Sequence, residues 1–116
     1  MDEKSERLSP EDAMGPMEEA CFQIIASVGT AKSLFIEAIA LAKAGRYDEA
    51  RARVDEGSAV FVEGHDVHLA LLQQDAAGLG ATAPLLLVHA EDQLMQAETF
   101  RILAMEFIDL YERVSP

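Results

Sequence analysis

The chain has no tryptophan and a single cysteine, Cys21. One thiol cannot close an internal disulfide, so Cys21 reads as a small buried apolar residue of the first helix. Only four prolines interrupt 116 residues, and the period-two alternation of a half-buried strand is missing, which argues against a β-rich fold. Positive charge is scarce: 9 Lys and Arg stand against 21 Asp and Glu, for a net charge of −12. So acidic a chain repels phosphate backbones and anionic headgroups, and nucleic acid is not expected as a partner. The longest apolar stretches, such as Ser33 to Leu41, are broken by Glu37 or bounded by charge short of a bilayer span. The N-terminus is acidic and lacks an apolar signal core, so the expected location is cytoplasmic with no direct membrane insertion. There is also no Gly-rich phosphate loop with its lysine and no paired-Cys site.

What is present is apolar residues at helical spacing in a chain of one-domain length. Residues 1–15 are polar and read as a mobile acidic leader, followed by a helical domain over 16–114. Pro16 suits a first helical position, and Ile24, Ile25, Val28, Phe35 and Ile39 recur until Lys43-Ala44-Gly45, giving a helix over about 16–44. Acidic Asp48 and Glu49 favour a second start, and the seam Ala50, Val54, Phe61, His65, His68 and Leu72 carries a helix over about 47–76. After the Gly-containing segment 77–83, Pro84 suits the first turn of a third helix over about 83–113. Short connections between three long helices predict an all-α, antiparallel up-down-up bundle.

The third helix has more apolar surface than three helices need. Leu87, Ala90, Leu94, Ala97, Ala104, Ile108 and Tyr111 form one seam, facing the first two helices. At about 100° of rotation per residue, Leu85, Val88, Asp92, Met95, Thr99 and Ile102 form a second seam on nearly the opposite side. With no fourth long helix to cover it, a homo-oligomer built around the third helix is expected. Asp92 would then meet its own copies, and converging carboxylates must either take up protons or share a hard cation such as Mg²⁺. His89 lies about 60° around the helix from Asp92, beside the seam, where a neutral imidazole nitrogen can serve as a nucleophile near pH 7.

The three histidines allow a transition-metal reading at His65, His68 or His89. The spacing of His65 and His68 suits a metal, but both continue the apolar side of the second helix, so packing with a hydrogen bond outweighs zinc.

At His89-Ala90-Glu91-Asp92-Gln93-Leu94-Met95 the chain resembles the enzyme IIA component of the lactose/cellobiose/chitobiose family of the bacterial sugar phosphotransferase system, which carries a segment like His-Ala-Gln-Asp-His-Leu-Met. The likeness extends from about residue 17 to 113, through Ile25–Ser33, Ala44–Ala50, Glu63-Gly64-His65 and Glu106–Glu112. It implies a homotrimer of three-helix bundles with a divalent metal ion, expected to be Mg²⁺, on its axis. His89 is by resemblance the phosphorylated residue and Asp92 the axial metal ligand. The implied reaction accepts a phosphoryl group from the histidine phosphocarrier protein and passes it to a cysteine of enzyme IIB, serving disaccharide uptake through the membrane enzyme IIC. Glu91 stands where the family commonly has Gln, and Gln93 where it commonly has His, so these two are the phosphate-pocket candidates. A Glu91 carboxylate aimed at the phosphoryl group would oppose it, whereas Gln93 could supply a replacement donor. His68 also stands where many relatives have Gln. The alternative expectation is a non-catalytic trimeric regulatory or scaffold protein with an altered phosphate pocket.

Overall fold

The computed structural model describes residues 15–78 and 83–116, all within or beside three helices: α1 (Pro16–Lys43), α2 (Tyr47–Ala76) and α3 (Leu85–Val114). Apart from Gly15, the leader lies outside the described residues, as do residues 79–82 of the connection between α2 and α3. The expected all-α bundle is observed, with no strand among the described residues.

Each helix end has a local cause. Pro16 opens α1 after Gly15, Glu18 and Glu19 lie in its first turn and Lys43 in its last, all favourable to the helix dipole. Gly45 takes φ 80°, the left-handed conformation that reverses the chain, and Arg46 N donates to Leu41 O across the turn. Asp48 and Glu49 occupy the first turn of α2. Pro84 does not enter α3. It caps the helix from an extended conformation (φ −68°, ψ 158°) while its carbonyl accepts from Leu87 N and Val88 N.

Helix α1 is the centre of the bundle and packs on both others, whereas α2 and α3 share the smallest interface. Cys21, Ile24, Val28, Ala31, Phe35, Ala38 and Ala42 of α1 are buried to within 1%. By length and composition α1 could cross a membrane, contrary to the reading of its apolar stretches as too short. The bundle buries one face of α1 as core, while Phe22 and Ile36 remain about half exposed. On α3, Ala90, Leu94, Ala97, Ala104 and Ile108 are buried with Leu87 and Tyr111 half-buried, so the seam expected to face α1 and α2 does so.

Helix α2 departs from its expected seam. His65 and Leu72 are exposed, and the buried line runs through Ala50, Val54, Gly57, Phe61, Gly64 and His68. Two glycines let α1 come close: a Cβ at Gly57 would stand 2.7 Å from Phe35 Cε1, and one at Gly64 would stand 3.0 Å from Val28 Cγ1. Glycine carries no hydrophobic signal, so the apolar pattern shifts the contact line toward His65. The closest backbone approach lies on the glycine side instead.

Candidate functional site

The residues singled out on α3 lie in its first three turns and divide by direction. Ala90 and Leu94 point into the core, and His89 and Asp92 are exposed on the outer side. Gln93, one turn after His89 on the same flank, is half-buried. The outer seam remains open within the subunit: Leu85 is 83% exposed, and Val88, Met95 and Ile102 are each about half exposed.

Asp92 is oriented by its own helix. Gln96 Nε2 donates to Asp92 Oδ2 at 2.9 Å, an i,i+4 pair. Gln96 Oε1 in turn accepts from Lys32 Nζ of α1 at 3.4 Å, and Lys32 also sits 5.1 Å from the centre of the Phe100 ring. A cation is thus tied to the flank of α3 that carries His89. The motif spacing did not reveal Lys32 or Gln96, although Asp92 and Gln96 are four apart on one helix.

Glu91 has a different environment. Its Oε1 lies 3.0 Å from Nε2 of His68, which is 6% exposed in the interface of α2 with α3. An ionised carboxylate only accepts, so Nε2 carries the proton and donates. The imidazole that engages Glu91 is that of His68 on α2. Cys21 is fully buried nearby. Burial pushes its thiol above the ordinary pKa, and the Glu18 and Glu91 carboxylates push it further, so Cys21 stays a protonated core residue.

The histidines do not converge. His65 is exposed on α2, with Nδ1 3.8 Å from Asp66 and its ring 6.0 Å from that of Phe61. No group of three or more metal-ligating side chains forms within the subunit among the described residues. A metal on Asp92 would therefore draw its ligands from more than one copy. One outward, exposed carboxylate per chain fits that arrangement, and oxygen donors suit a hard divalent cation.

Comparison with known proteins shows the family. The family described as the lactose/cellobiose-specific IIA subunit of the PTS system matches residues 19–112. The chain is 39% identical over 99 residues, covering 85% of this chain and 90% of the relative, to the lichenan-specific phosphotransferase enzyme IIA component of Bacillus subtilis. The chain belongs to this IIA family. It is also 40% identical over 114 residues, 98% of this chain and 95% of the relative, to the cellobiose-specific EIIA component of Lactococcus lactis. The crystal structure of the cellobiose-specific enzyme IIA from Bacillus anthracis superposes with a TM-score of 0.85 at 36% identity, over 90% of this chain and 95% of that one.

This IIA protein is accordingly a phosphocarrier component of a sugar phosphotransferase system, working with phosphotransfer partners of that system. Transfer between two side chains on different proteins requires an accessible nucleophile and correct positioning, and an exposed residue on a rigid helix can provide both.

Proposed function

We propose that His89 carries the phosphoryl group. A neutral imidazole nitrogen of His89 attacks the phosphorus held on the phosphohistidine of the histidine phosphocarrier protein. A new P–N bond forms, the donor's P–N bond breaks, and its electron pair returns to the donor imidazole. In the second transfer a cysteine thiolate of enzyme IIB attacks, the P–S bond forms, and the electron pair of the breaking bond returns to His89. The sugar, of the lactose or cellobiose class named for the relatives, is phosphorylated later with the membrane enzyme IIC. This carrier acts from the cytoplasm.

The observation that carries the reading is an exposed His89 beside an apolar seam that its own subunit leaves uncovered. Copies of α3 meeting along Leu85, Val88, Asp92, Met95, Thr99 and Ile102 form a homotrimer, with His89 at the edge of each contact. Asp92 holds a divalent ion, Mg²⁺ by its oxygen ligands, that neutralises the converging carboxylates. Gln93 lies on the flank of His89 and offers an amide donor to the phosphoryl oxygens, and Glu91 is engaged by His68.

The test is intact-mass measurement after incubation with phosphoenolpyruvate, enzyme I and a compatible histidine phosphocarrier protein, with His89→Ala in parallel. One acid-labile phosphoryl group on the parent and none on the variant is the expected result. An unmodified parent, with its own upstream partner supplied and a control carrier active, would instead make the chain a non-catalytic scaffold.

A further inference from the structure

The rotation of α3 puts Asp92 between His89 and Glu91. If Asp92 faces an axis, His89 lies about 60° to one side of it and Glu91 about 100° to the other. In a cyclic trimer each contact is heterologous, so one flank of α3 meets the opposite flank of the next copy. His89 of one subunit and Glu91 of its neighbour therefore border the same groove. The two flanks are also braced by different helices: Lys32 of α1 reaches Gln96 on the His89 side, and His68 of α2 reaches Glu91 on the other.

A phosphoryl group brings about −1.5 to −2 charges into that groove. A free carboxylate there opposes its arrival. The Glu91 side chain is 43% exposed and has room to move, whereas that of His68 is 8% exposed and held by packing. Among the described residues His68 is the side-chain partner of Glu91.

We propose that His68 is a positioning residue for phosphoryl transfer, holding the Glu91 carboxylate against α2 and out of the groove in which the neighbouring copy's His89 is phosphorylated. The inference rests on the trimeric carrier reading above. It gives the exchange at residue 91 a counterpart: the chain carries a carboxylate beside its phosphorylation site together with a buried donor that restrains it.

The experiment measures the initial rate of phosphorylation by the histidine phosphocarrier protein, with oligomeric state and unfolding midpoint followed alongside. His68→Leu fills the site without a donor and is expected to slow the parent about tenfold, the effect of one unit of pKa-scale repulsion. His68→Gln keeps an amide donor and should stay near the parent rate. Glu91→Gln removes the charge, so His68→Leu in that background should cost nothing further. Equal slowing in both backgrounds would make His68 purely structural and overturn the proposal, as would a His68→Leu rate equal to the parent's. If His68→Leu does not fold, Glu91→Asp and Glu91→Asn serve instead. Both are too short for the bond to His68, and the charged variant should be several-fold slower than its neutral isostere. Equal rates for that pair overturn the inference. A parent that takes up no phosphoryl group overturns the carrier reading and this inference with it, whereas a phosphorylated parent indifferent to His68 overturns this inference alone.

Discussion

His68 Nε2 donates to Glu91 Oε1 across 3.0 Å, joining the end of α2 to the start of α3. In the sequence these residues stand 23 positions apart. In the fold they are partners, a His–Glu pair in which one charged acceptor meets one buried donor. Removing the two members should have different costs. Glu91→Ala leaves a buried imidazole N–H without its acceptor and is expected to destabilise the fold by about 1–3 kcal/mol. Glu91→Gln keeps an accepting oxygen and should cost less than about 1 kcal/mol. Urea unfolding of the two variants checks this, and equal losses would mean that the hydrogen bond contributes little.

The close packing of α1 on α2 depends on Gly57 and Gly64. At Gly57 a methyl group would meet the Phe35 ring at 2.7 Å and Ala31 O at 3.2 Å. Phe35 is fully buried, so the ring has nowhere to go. Alanine improves helix propensity by about 1 kcal/mol, but overpacking costs about 1–3 kcal/mol. We expect Gly57→Ala to lower the thermal midpoint, and to lower it more than Gly64→Ala, whose nearest contact is the Val28 methyl at 3.0 Å. A Gly57→Ala protein as stable as the parent would show that the helices can separate freely.

Cys21 should resist thiol reagents in the native protein and react once it is denatured. Because burial raises its pKa in the fold, the folded state holds the proton more tightly than the unfolded chain. Its contribution is complete below the thiol's ordinary pKa and is lost as pH rises through the folded value. Cys21→Ala should therefore lower stability at neutral pH through lost volume, yet show a flatter decline above pH about 8.5. Parallel alkaline unfolding curves for parent and variant would assign that decline to other groups.

Asp92→Leu provides a test of the axis. In the proposed trimer the substitution removes converging like charges and extends the apolar seam, so the variant should remain associated in chelator. Sedimentation velocity with and without Mg²⁺ is the measurement. Folded monomers of the variant would make Asp92 an assembly contact in its own right.

Much of the architecture was legible from local pattern. Three helices, the inward seam from Leu87 to Tyr111 and the uncovered seam through Leu85, Val88, Met95 and Ile102 all follow from apolar spacing within one helix. The histidine motif and its resemblance pointed to the IIA family. On α2 the apolar pattern marks Ala50, Val54, Phe61 and His68 correctly but not Gly57 and Gly64, because glycines that permit close approach leave no apolar mark. His65 was drawn inward, whereas Gly64 occupies the interface and His65 lies outside it.

The sequence by itself determined which faces of each helix are apolar and which residues could carry chemistry, because helical periodicity is a property of neighbouring residues. It could not say which side chains meet across helices. Glu91 and His68 are 23 positions apart and Lys32 and Gln96 are 64 apart, and both contacts depend on how each helix is rotated about its own axis. That rotation is decided by close packing in the tertiary structure, where Gly57 and Gly64 admit α1.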